Sequence, residues 1–151
     1  TWNNLKPVLL RFAVSAVLLV TVVLVFKPEL FLNFVRDRPG FWALVMVAYP
    51  LLSVIPQEII FRSFFFQRYK KIFPTPVLMI LASGLMFGAA HVIFQNWVAP
   101  SLCAIGGLMF AATYHKTRSL LLVIIEHALY GDFLFTVGLG RYFYHGAMGP
   151  Q

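Results

Sequence analysis

The chain has 151 residues, of which 60% are hydrophobic and only 11% charged, and it carries a formal net charge of +7. This composition excludes an ordinary soluble globular domain and predicts a membrane protein. The positive charge does not argue for a nucleic-acid partner, because Lys6, Arg68, Lys70, Lys71, Lys116 and Arg118 stand at the ends of apolar segments, as cytoplasmic flanking residues do.

A spanning helix needs roughly 20 mainly apolar residues, and about five segments qualify. The first, Pro7–Phe26, has no small-residue cleavage signature after it and is expected to be a true span of a trimmed or partial chain. A loop marked by "KPEL" and "RDRPG" follows. The second segment, Phe41–Phe66, contains Pro50 and Pro56, each of which removes a helical hydrogen bond and is expected to kink the helix. Backbone opened at membrane depth is tolerated only against protein or a wet cavity. After "RYKKIFPTP", the third segment, Val77–Phe94, carries Gly84 and Gly88 at the small-xxx-small spacing that lets another helix approach. After "QNWVAP", the fourth, Ser101–Tyr114, is short and is expected to lie tilted, kinked or partly inserted, with Gly106 and Gly107 serving close packing. After "HKTRS" comes the fifth, Leu120–Gly138.

The expected fold is all-α: a single transmembrane domain over residues 1–151, a polytopic bundle of about five spans with kinked motif-bearing helices. If the spans alternate, the six flanking cations named above face Lys27, Arg36, Arg38 and Arg141 across the bilayer, which favours a cytoplasmic N-terminus. Cys103 is the sole cysteine, which excludes a disulfide framework and a thiolate zinc site. The sixteen phenylalanines are expected to face lipid or fill the core.

Polar residues inside the spans carry the functional signal. Glu58, Arg62, His91, Glu126, His127 and Asp132 all fall within them. A charged residue near the bilayer centre costs about 2.5–3.5 kcal/mol on insertion scales, so such residues usually face a bundle interior and carry function. Glu58 and Arg62, at i and i+4, share one helix face, so the guanidinium can orient the carboxylate. Taken singly, the pair could merely neutralise itself, and either histidine could be a hydrogen-bonded packing residue. Together on three spans they predict a shared polar cavity. Glu126 points about 100° away from His127 and is expected behind the site or near an interface. Asp132 could cap, pair with Arg141 or line the cavity, and His115 and His145 are expected to be interfacial.

A carboxylate and an imidazole around one water can make a general base, the histidine orienting the water or holding the developing oxyanion. Competing intramembrane protease chemistries lack their residues: there is no H-E-x-x-H for zinc, "LASG" puts Leu81 where a G-x-S-G serine enzyme needs glycine, and Asp132 is the only intramembrane aspartate.

The blocks "QEIIFR" (57–62), "FGAAH" (87–91) and "HALYGD" (127–132) resemble, in order and placement, the E-E-x-x-x-R, F-x-x-x-H and H-x-x-x-[N/B] motifs of the CPBP family, the CAAX proteases and bacteriocin-processing enzymes also called the Abi family. The resemblance extends over about residues 41–138. It implies an intramembrane endopeptidase in which the glutamate of the first motif and His91 activate water, His127 and an amide stabilise the oxyanion, and Arg62 organises the glutamates. Gln57 stands where the family has its first glutamate, and Gly131, followed by Asp132, stands where it has asparagine.

The expected activity is therefore hydrolysis of a peptide bond in a membrane-associated protein or peptide by a glutamate/histidine-activated water. Glu58 is the expected base, with Gln57, Arg62, His91 and His127 around it and Gly131, Asp132 and Glu126 at the oxyanion or behind the site. The alternative is a catalytically silent scaffold or chaperone on the same fold, with Gln57 in place of the family's first Glu; a proton-coupled transporter is a third reading. No metal is expected, since two histidines and one carboxylate on separate spans lack a recognised zinc spacing, although three such ligands could hold zinc. The expected location is a bacterial or archaeal cell membrane. One geometric tension accompanies this reading. At about 1.5 Å per residue, straight helices put Glu58 and His127 roughly 12 and 10 Å from one membrane face but His91 roughly 21 Å from it, so a kink, a tilt or a helix starting outside the hydrocarbon is needed.

Overall fold

Caps and prolines divide the chain into helices. The structure, a computed structural model, describes residues 2–143, so His145 lies outside the described residues. Helix α1 runs Trp2–Phe26, a short α2 covers Asn33–Asp37, and α3 runs Pro39–Arg68. Helix α4, Pro76–Ala90, continues into a 3-10 turn over His91–Phe94; α5 is Val98–Thr117 and α6 is Leu120–Val137. Among the described residues, five helices are long and apolar enough to cross a membrane and there is no strand. The protein is an all-α polytopic membrane bundle. Large apolar side chains such as Leu10, Val17, Leu52 and Ile93 stand on its outside, where lipid replaces water.

Local chemistry sets the helix starts. Thr75 and Ser119 accept hydrogen bonds from the backbone N–H groups of Leu78 (3.3 Å) and Leu122 (3.2 Å), capping α4 and α6. The fourth span corrects the expectation of a short segment: it has 20 residues, not the stretch Ser101–Tyr114. Asn96 Oδ1 accepts from Ala99 N at 2.9 Å and starts the helix upstream of Pro100. Pro100 then sits in the first turn, where an N–H would have had no intrahelical partner. At its far end α6 stops at Gly138, whose φ of 102° suits glycine; a Cβ there would lie 1.9 Å from Leu30 O.

Helix α3 contains two π-helical stretches, Pro50–Val54, which begins at a proline, and Ile59–Phe64, around a single α turn, Ile55–Glu58. Ile55 N–H donates to Pro50 O, five residues back. Single-turn π geometry inside an α-helix is uncommon and frequently marks a functional site. A carbonyl of the second π stretch, Phe61 O, accepts from Ser83 Oγ at 2.7 Å, which pins α3 to α4.

Helices α4 and α5 form the tightest crossing. A Cβ at Gly84 would lie 2.7 Å from Leu108 N, one at Gly88 would lie 2.7 Å from Ala104 Cβ, and one at Gly107 would lie 2.8 Å from Gly84 O. Gly107 therefore joins Gly84 and Gly88 in the close approach. Gly106, expected to do the same, instead lines a cavity. A core of Phe65, Phe66, Met79, Phe87, Phe110, Tyr114 and Val123 fills the space between α3, α4, α5 and α6. Helix α1 lies against α6 through Ser15 and Tyr130 (3.2 Å) and an edge contact of Phe12 with Tyr130.

Gly84→Leu should lower stability by roughly 1–3 kcal/mol through overpacking, read as a lower unfolding temperature in detergent. Gly40→Ala, at a position with open space around it, should leave that temperature nearly unchanged.

Candidate active site

The charged pair of α3 lies at the centre of the bundle. Glu58 and Arg62 are both 0% exposed, with Arg62 Nε 3.1 Å from Glu58 Oε2. The contact is an ion pair rather than an aligned hydrogen bond, since neither atom has a hydrogen-bond partner. Arg62 Nη1 donates to Ser83 Oγ at 3.2 Å, and the guanidinium lies over the rings of Phe87 (5.0 Å) and Phe110 (5.8 Å). The cation is thus held by one hydroxyl, one carboxylate and two aromatic faces.

From α6, His127 Nδ1 lies 2.8 Å from Glu58 Oε1. An ionised carboxylate only accepts, so Nδ1 carries the proton and, in the neutral ring, Nε2 is an acceptor. Tyr49 OH lies 3.1 Å from that Nε2 and donates to it. The His127 ring stacks on Phe110 at 4.8 Å and meets the edge of Phe87 at 5.4 Å.

His91 begins the 3-10 turn after α4. Its Nδ1 is 2.7 Å from Phe87 O; a carbonyl oxygen cannot donate, so Nδ1–H donates and the neutral ring keeps Nε2 unprotonated. A cavity of about 280 Å3 is lined by His91, His127, Tyr49, Ser53, Gln57 and Gly131, among others. His91 and His127 therefore share one space despite the depth difference that straight helices imply, and Phe87 touches both rings.

The structure separates the adjacent residues 57 and 58. Gln57 lines the cavity, donates its amide to Ser53 Oγ at 2.8 Å and leaves Oε1 without a partner. Glu58 does not line it and stands behind His127. Of the remaining expected residues, Gly131 lines the cavity, with the Tyr49 ring against its Cα. Glu126 turns away: Arg11 Nη2 donates to its Oε1 at 2.7 Å and approaches Thr113 Oγ1 at the same distance. Asp132 is half-buried, with Oδ1 unpartnered, and forms no ion pair with Arg141 among the described residues. His115 sits in the last turn of α5.

Three contributors escaped the sequence reading. Arg11 carried a signal, being a cation inside the first apolar segment, where an intramembrane charge needs a partner. Tyr49 and Phe110 carried none, because aromatic residues fill such segments everywhere, whereas Phe87 opens the "FGAAH" block. Among the described residues, no three of His, Cys, Asp and Glu come together as a metal site.

A sequence model of the family described as "Type II CAAX prenyl endopeptidase Rce1-like" matches residues 39–131, more than half of the chain. The match covers the first two motif blocks and the third as far as Gly131, and agrees with the CPBP resemblance. No curated protein and no solved structure matches the chain.

Arg62→Ala should destabilise the fold by roughly 3–5 kcal/mol, the usual cost of stranding one member of a buried pair. Replacing both members, Arg62→Met with Glu58→Leu, should recover part of that loss. Thermal unfolding of the purified variants in detergent measures both.

Proposed function

The chain belongs to the Rce1-like type II CAAX prenyl endopeptidase family, and we propose that it hydrolyses a peptide bond of a membrane-associated protein or peptide through a water activated by the glutamate and histidine set around the cavity. The family is one of peptidases, and the bundle is an integral membrane protein whose substrate meets it in the bilayer. The observation that carries the reading is the pair of differently prepared histidines on one cavity. His91, fixed by Phe87 O, offers a free Nε2, while His127, fixed by Glu58, is braced by a buried anion.

In this mechanism His91 Nε2 takes a proton from the water as its oxygen bonds to the scissile carbonyl carbon. The carbonyl electrons move to oxygen, and the wall around His127 holds the resulting oxyanion. His91 returns the proton to the leaving nitrogen as the C–N bond breaks. Glu58 acts through His127, accepting its Nδ1–H and so fixing its tautomer, and Arg62 holds Glu58 in that direction. The unpartnered Oε1 of Gln57 accepts from the water. The role first expected of Glu58, direct proton abstraction, passes to His91 because Glu58 has no surface on the cavity. Glu126, tied to Arg11, and Asp132 serve behind the site. The reaction needs no metal.

One observation favours a second reading. The cavity-facing member of the 57–58 pair is an amide, which cannot take a proton, so the chain would be a silent scaffold or chaperone on the same fold.

In a reconstituted cleavage assay on tailed membrane substrates, His91→Ala should reduce the rate roughly 10²–10⁴-fold, and Glu58→Gln should also reduce it, with folded protein retained. An inert wild type that Gln57→Glu awakens would replace the first reading by the second. Cleavage should also persist after strong chelation and metal-free purification, whereas stoichiometric zinc, lost and restored together with activity, would make the protein a metallopeptidase.

A further inference from the structure

Tyr49 stands at the start of the first π stretch, and its surroundings fix its hydroxyl more closely than core packing requires. The ring meets Phe135 edge-on at 5.3 Å and His127 at 6.1 Å. Its third wall is the bare Cα of Gly131: a Cβ there would lie 2.2 Å from Tyr49 Cε1 and 2.5 Å from the hydroxyl oxygen. Any side chain at 131 would push the ring aside, so glycine there is the condition for the hydroxyl to reach His127 Nε2 at 3.1 Å. Tyr49 and Ser53 also line a second cavity of about 540 Å3, so Tyr49 stands where two spaces meet. The hydroxyl ends a chain of hydrogen bonds from Glu58 Oε1 through both nitrogens of His127 to the cavity wall.

We propose that Tyr49 is a catalytic residue of the hydrolysis, its hydroxyl donating a hydrogen bond to the scissile carbonyl oxygen as that oxygen becomes an oxyanion. The inference rests on the proteolytic reading above. Before reaction the phenol proton points to His127 Nε2. As the oxyanion forms, the phenol O–H turns from Nε2 to that oxygen, exchanging a neutral acceptor for a charged one. No proton leaves Tyr49; it reorients one hydrogen bond, and Gly131, which has no donor of its own, contributes the room for it.

The test is Tyr49→Phe, which keeps the ring against Gly131 and removes only the hydroxyl. With a wild type that cleaves, kcat should fall roughly 10²–10³-fold, as for loss of one oxyanion donor, with KM changed less than about twofold on the ground that the contact forms in the transition state. An unchanged kcat overturns the role of Tyr49 and leaves the proteolytic reading standing. With a wild type that does not cleave, binding of a peptidyl trifluoromethyl ketone, which presents a tetrahedral hydrate, is measured by calorimetry instead. A Kd weakened at least tenfold in Tyr49→Phe supports the role, and an equal Kd overturns it. Failure of the wild type both to cleave and to bind the ketone overturns the proteolytic reading and this inference together. Gly131→Ala supplies the second variant: displacement of the Tyr49 ring should reproduce the Tyr49→Phe defect, and full activity in Gly131→Ala would count against it.

Discussion

The bundle is organised around a full pair of charges that has no access to water. Glu58 and Arg62 could be accommodated at membrane depth only if every adjoining helix contributed to their solvation, and each does. Helix α4 sends Ser83 and Phe87, α5 sends Phe110, and α6 sends His127. The pair therefore ties α3, which carries it, to the three helices around it. Lipid offers little hydrophobic drive for helix association, so directional contacts of this kind take a larger share of specifying one arrangement.

Two other features make that solvation possible. The glycines at 84, 88 and 107 bring α4 and α5 to backbone contact, which places Phe87 and Phe110 near enough to share one guanidinium and one imidazole. The π stretches of α3 free carbonyls for outside donors, and Ser83 uses one of them while it also receives Arg62. A hydroxyl that sequence comparison could mistake for a nucleophile is thereby committed to structure.

The site separates charge from contact. Its cavity walls carry neutral polar groups, Tyr49, Ser53, Gln57 and the two imidazoles, while the charges stand one layer behind. A peptide bond, itself neutral and polar, suits such a wall, and the hidden Glu58 is linked to it through the hydrogen bond from His127. A second pair, partly exposed Arg11 with buried Glu126, stands at the junction of α1 and α6. There it fastens the first helix to the body that carries the motifs.

Composition and spacing sufficed for the class of molecule, since long apolar runs have no other stable home than a membrane, and buried polar backbone leaves helices as the form. They also sufficed to pick out Glu58, Arg62, His91 and His127, because charge and imidazole in lipid are costly wherever they occur. The length of the fourth span was misjudged, since whether Pro100 breaks or begins a helix depends on the cap that Asn96 supplies. The division between Gln57 and Glu58 lay beyond the sequence: residues about 100° apart on a helix differ in what they face only once the neighbouring helices are placed. Tyr49 and its glycine likewise emerge from the tertiary structure alone, because a tyrosine and a glycine 82 positions apart acquire meaning only where packing leaves one the space the other vacates.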